Sequence, residues 1–214
     1  MVSMISVLSL ILVAGVYYAN YLGATGMWGM SINNLAQVFP FPFMPAGVFF
    51  GIARTLIFVL IGIFAIIAVG QYIRDGRTHK RTMTWFAISS VLNILWVYIT
   101  ALGYYAWSVL IIALIMVVLS QILNRLKSRN AQCTLGRWAI GAYYGWISIA
   151  TTVLSLSMLV YLYDKTLVLS TTWSYIAIAI GMLVTICSWF RWRNPAALLL
   201  SFRGLIGALV AFLS

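Results

Sequence analysis

The chain has 214 residues, 64% of them hydrophobic and only 7% charged, and its 13 lysines and arginines against 2 acids give a formal net charge of +11. Soluble domains carry roughly 25% charged residues, so this composition, with a mean hydropathy of +1.06, excludes that class and defines an integral membrane protein. Such a charge would suit nucleic acid in a soluble protein, but here the cations gather in short connections between apolar runs, so no nucleic-acid partner is expected.

Seven runs are long and apolar enough to cross a bilayer as helices, which satisfy their own backbone hydrogen bonds in lipid: about 4–22, 47–72, 84–103, 105–124, 138–163, 173–190 and 196–213. The expected fold is all-α, a polytopic transmembrane helix bundle. The first run has no preceding cation and no small-residue cleavage pattern, so it reads as a retained helix rather than a leader. The uncharged segment 23–46 holds Pro40, Pro42 and Pro45, which forbid a regular helix. Phe39, Phe41, Phe43 and Met44 are too apolar to sit in water, so this segment is expected to fold back as a lid or lie in the interface. "GVFFG" at 47–51 opens the second helix and "GAYYG" at 141–145 lies early in the fifth. Both fit the G-x-x-x-G pattern that brings helix backbones together, within one chain or in a homodimer. The short turn at Gly103-Tyr104 makes helices three and four a tight antiparallel hairpin.

Arg74, Arg77, Lys80 and Arg81 lie between helices two and three, Arg125, Lys127, Arg129 and Arg137 between four and five, and Arg191 and Arg193 between six and seven. By contrast, 23–46 and 103–104 are uncharged, and Asp164 offsets Lys165 in the connection at 164–172. The positive-inside rule therefore places the basic connections in the cytoplasm, with the N-terminus inside and the C-terminus outside, as in a bacterial inner membrane. The same cations attract the head groups of anionic membrane lipids.

The residues that are missing restrict the chemistry. The carboxylates, Asp75 and Asp164, both fall at helix ends, which disfavours an intramembrane proton relay. Lys80, Lys127 and Lys165 are in connections, so no helix offers a Schiff-base lysine; His79 is a loop residue, and Cys133 and Cys187 make neither a disulfide framework nor a metal pattern. No enzyme activity, metal or obligatory cofactor is expected. Arg54 and Arg203 lie about two turns inside their helices, where an arginine snorkels, finds a structural partner or meets an anionic ligand. Trp28, Trp85, Trp107, Trp173, Trp189 and Trp192 fall near helix ends as interface anchors. Trp96 instead shares a mid-helix face with Asn93 and Thr100, and Trp146 shares one with Tyr143, Ala150 and Val153. An amide at that depth needs a partner, which turns its face inward. These two faces either fill the bundle core or wall a pocket for a flat apolar ligand.

Three stretches resemble the TspO/MBR family, the tryptophan-rich sensory proteins that include the mitochondrial translocator protein. "PAGVFFGIARTLIFVLIG" keeps Pro45, Phe50, Gly51, Thr55 and Gly62 in register with the family's second helix. "LNILW" supplies Leu92, Asn93 and Trp96 for its L-N-x-x-W, and "AYYGWISIATTVL" supplies Tyr143, Trp146 and Ala150 for a later-helix motif. The chain departs from the pattern at Ala46, Arg54, Phe58, Ala142 and Leu154, with Arg54 in place of a tryptophan. The likeness covers roughly 1–160, which implies a five-helix membrane domain at 1–163 and two additional helices at 164–214.

The resemblance further implies a pocket under the first connection for a porphyrin, a haem-like tetrapyrrole or a sterol-like lipid. Carried over by position, its ligand-binding residues are Asn93, Trp96, Trp146 and Ala150, with Tyr143 adjacent and Pro40, Pro42 and Pro45 in the lid. Arg54, in the place of a pocket tryptophan, would meet an acidic group of the ligand. Sensing or transport of that ligand is the function implied, as in a receptor or carrier. Two other readings stand beside it. One is a structural or assembly subunit. The other is a small-solute transporter, which lacks visible inverted repeats and coupling carboxylates.

Overall fold

The computed structural model of the chain describes residues 4–31, 47–75, 80–127, 134–163 and 171–199. They form α1 (Met4–Thr25), α2 (Gly47–Asp75), α3 (Lys80–Ala101), α4 (Tyr105–Lys127), α5 (Thr134–Tyr163) and α6 (Thr171–Trp192), followed by helical residues 195–199. These elements match the sequence expectation of an all-helical bundle. Within the described residues, Val7–Thr25, Arg81–Ala101 and Tyr105–Leu126 are long and apolar enough to cross a membrane. Exposed side chains such as Ile11, Ile66, Val117 and Leu183 suit a surface solvated by lipid.

Helix contacts close a ring in the order α1, α2, α5, α4, α3 and back to α1, while α6 packs outside it against α5 and, at fewer points, α4. Successive helices run in opposite senses, so the α2–α3, α4–α5 and α6–195 junctions share one end. That end carries the cations and is here called the basic end; the other is the uncharged end. At the basic half the interior is filled. Met83 and Phe86 of α3, Leu119, Ile122 and Leu123 of α4 and Ile140 of α5 are essentially inaccessible, and Phe86 meets Phe64 of α2 edge-on at 4.9 Å between centroids. Val97, Ile112 and Ile115 continue this core past mid-height.

At the uncharged end the segment after α1 is pinned to the end of α3. Met30 N–H donates to the Ala101 carbonyl at 2.9 Å, and Gly29 has φ 134°, where a Cβ would come within 2.6 Å of that same oxygen. The α3–α4 hairpin is closed by a hydroxyl pair, Thr100 with Ser108 at 2.6 Å. Thr100 is thereby used in packing, although its spacing had grouped it with Asn93 and Trp96. Residues 32–46, including the expected lid prolines Pro40, Pro42 and Pro45, lie outside the described residues, as does Arg203.

A second polar cluster fastens α6 to the ring. Trp192, expected as an interface anchor, is 4% exposed. Its indole N–H donates to Asn124 Oδ1 at 2.8 Å, and its ring meets Tyr144 at 4.8 Å. The Arg137 guanidinium donates to the Trp192 carbonyl. Arg193 ends α6 in the left-handed region, φ 45°. Asn194 then caps the next helical turn, its Oδ1 accepting from Ala196 N–H at 3.1 Å with Pro195 between them, while its Nδ2 donates to the Arg137 carbonyl at 2.6 Å. The approach requires Gly141, where a Cβ would overlap the Asn194 amide. The "GAYYG" glycine thus serves packing within the chain. Gly141→Ala should lower stability by about 1–3 kcal/mol, read as a lower melting temperature in detergent. Gly70→Ala, at a position with open space around it, should be neutral or slightly stabilising.

Candidate functional site

Three helices meet in one polar layer. Asn93 of α3 is 5% exposed, Tyr143 of α5 is 4% exposed and Asn20 of α1 is 5% exposed. Asn20 Nδ2 donates to Asn93 Oδ1 at 2.9 Å, and Asn93 Nδ2 donates to Tyr143 Oη at 2.8 Å. The second Asn20 amide hydrogen goes to the Val16 carbonyl at 2.8 Å. Because α3 and α5 are opposed across the ring rather than neighbours around it, the Asn93–Tyr143 bond crosses the ring interior. In a low-dielectric setting an unpaired amide would be costly, so each of these groups fixes the rotation of the helix that carries it.

The other expected site residues continue from this layer toward the uncharged end. Trp96 lies one turn beyond Asn93 on α3, and Trp146 and Ala150 lie one and two turns beyond Tyr143 on α5; all three are half-buried and pack against the hydrophobic core. Trp96 Nε1 is enclosed and has no hydrogen-bond acceptor among the described residues. Arg54 is a residue of α2, but its side chain falls outside the described part of the structure. The hydroxyls that follow Trp146 are used locally: Ser148, Thr151 and Thr152 donate to the Gly145, Ile147 and Ser148 carbonyls of their own helix at 2.8, 2.7 and 2.8 Å. Their hydrogens are thus committed within the helix, which leaves only their oxygens to accept.

Sequence reasoning missed Asn20. The signal was present, since it is an amide inside an apolar run just as Asn93 is, and it lies in "YYANYLG" near the end of the first helix. It also missed Asn194, whose partners are 57 positions away in sequence. Among the described residues, no group of three or more His, Cys, Asp or Glu could hold a metal ion.

The closed five-helix ring, apolar outside and crossed by a polar layer inside, defines a polytopic membrane protein of the helical-bundle class. A sequence model of the TSPO-like protein family matches residues 4–211, and the chain belongs to that family. The match bears out the resemblance read from the three motifs and runs on past residue 163, through α6 and beyond. No curated protein and no solved structure matches the chain.

The polar layer can be tested without a ligand. A double-mutant cycle on Asn20→Leu and Asn93→Leu should give a coupling of about 0.6–1.7 kcal/mol, the span measured for hydrogen bonds between membrane helices. Thr151→Val should leave the melting temperature nearly unchanged, because its hydroxyl bonds only to its own helix.

Proposed function

We propose that this chain binds a flat hydrophobic ligand in the half of the ring toward the uncharged end, and senses or carries it without catalysing its conversion. The ligand class is a porphyrin or haem-like tetrapyrrole, or a sterol-like lipid. The observation that carries this reading is the Asn20–Asn93–Tyr143 layer with Trp96 and Trp146 one turn beyond it: a polar floor, with two half-buried indoles on the side of the lid segment. Below the floor the interior is filled by Met83, Phe86 and Ile140. The binding residues proposed are Asn93, Trp96, Tyr143, Trp146 and Ala150, with Pro40, Pro42 and Pro45 in the lid. Arg54 would meet an acidic group such as a propionate, since no helix interior holds a carboxylate to pair with it.

The basic connections support a bacterial inner-membrane location with the N-terminus in the cytoplasm, and the floor then faces away from the cytoplasm. One observation favours a second reading, a structural or assembly subunit that forms a homodimer or joins a larger complex: Trp96 and Trp146 both pack against the core cluster, as rings that merely fill a bundle would.

Titration of the purified protein with protoporphyrin IX and with haem, followed by tryptophan fluorescence, separates the two. The binding reading expects saturable quenching, weakened about tenfold in Asn93→Ala by loss of a buried hydrogen-bonding group and weakened also in Trp146→Phe. Arg54→Leu should lower affinity for the acidic porphyrin while the fold stays intact. Linear quenching that ignores all three substitutions would mean partitioning into the micelle and would leave the subunit reading.

A further inference from the structure

The polar layer has a direction, and the Val16 carbonyl sets it. That oxygen can only accept, so the Asn20 amide must turn its nitrogen toward it. The same nitrogen then donates to Asn93 Oδ1. With its oxygen occupied, Asn93 presents its Nδ2 to Tyr143, and the phenol oxygen accepts. Reversing the Asn93 amide alone would bring two NH2 groups together. Reversing both amides would set Asn20 Oδ1 against the Val16 carbonyl.

Tyr143 Oη is thus an acceptor toward Asn93, and its own hydrogen must point elsewhere. No acceptor for it is found among the described residues, although the side chain is more than nine-tenths buried. Trp96 Nε1, one turn from Asn93, is a second enclosed donor in the same condition. Buried donors without acceptors are rare and costly. Two of them beside one layer, on helices whose described interiors hold no carboxylate, leave a site rich in donors and short of acceptors.

We propose that the bound molecule supplies the missing acceptor. It is a flat apolar compound bearing a carboxylate or carbonyl oxygen, and that oxygen receives the hydrogen of the Tyr143 hydroxyl. Tyr143 is then a specificity-determining residue. Asn20, which touches no ligand, is a positioning residue that keeps the Asn93 amide from turning to accept the phenol hydrogen itself. The inference rests on the ligand-binding reading above and adds the chemical feature that the ligand must carry.

The test compares three porphyrins on the full chain in detergent: protoporphyrin IX with two carboxylates, its dimethyl ester with neutral carbonyls, and etioporphyrin, whose periphery is only alkyl. Wild type should bind the acid more tightly than etioporphyrin. Tyr143→Phe, which keeps the ring and loses the hydroxyl, should weaken the acid roughly ten- to hundredfold and cut its preference over etioporphyrin by a similar factor. Asn20→Leu should do the same while Tyr143 is still present, a result that a purely structural role for Asn20 would not give. Parallel loss for the dimethyl ester assigns the acceptor as a carbonyl oxygen of either kind; loss for the acid alone assigns it as a carboxylate.

Equal affinity of the acid and etioporphyrin for wild type would overturn the proposal. So would a Tyr143→Phe variant that binds all three as wild type does, the result expected if the phenol hydrogen meets only an internal water. A wild type that binds none of the three would instead remove the ligand-binding reading, and this inference with it. Melting temperatures of both variants, and the ratio of acid to etioporphyrin affinity, separate loss of the hydrogen bond from loss of the fold.

Discussion

An amide inside an apolar bundle must find a partner, and most of this architecture follows from how Asn93 does so. Its oxygen accepts from Asn20 of α1 and its nitrogen donates to Tyr143 of α5, so one side chain fixes three helices in rotation and height. Hydrophobic contact alone cannot do this in lipid, where the solvent is as apolar as the core. Close packing of Phe64, Phe86 and Met83 below the layer then adds shape to a register that hydrogen bonds have set.

The basic end is organised by the same rule with different residues. Trp192, Asn194, Asn124 and Arg137 pair with one another or with backbone carbonyls, and Gly141 provides the space. Through them α6 is joined to the start of α5 and the end of α4, so the helix outside the ring is tied to the ring's own framework. The family match extends over this region as well, consistent with α6 being part of the unit.

Much of this was legible in the sequence because the bilayer simplifies the code. Length and apolarity mark the helices, cations mark the connections, and the amide Asn93 marks an inward face. The three motifs pointed to the family that the wider match then supported. What the sequence did not disclose was pairing over long separations. Nothing local says that Asn20 meets Asn93, that Tyr143 receives the bond across the ring, or that Asn194 docks on Gly141. Trp192 shows the limit of positional rules: a tryptophan at a helix end reads as an interface anchor, but a neighbouring Asn124 and an edge-on Tyr144 drew it inside. Thr100 shows the converse, since its helical spacing grouped it with Trp96 while its hydroxyl closes a hairpin with Ser108.

The central proposal is that a ligand binds on the uncharged side of the Asn20–Asn93–Tyr143 layer. Cysteine accessibility tests it most directly. In a background with Cys133 and Cys187 replaced by serine, Ala150→Cys and Ala139→Cys would each be treated with a small maleimide in liposomes, with and without protoporphyrin IX. Ala150 lies two turns beyond the layer, and Ala139 sits in the filled half with no accessible surface. The account predicts that Ala150→Cys reacts and is protected by the porphyrin, and that Ala139→Cys stays unreactive in both conditions. Labelling of Ala139→Cys, or labelling of Ala150→Cys that the porphyrin does not slow, would contradict it.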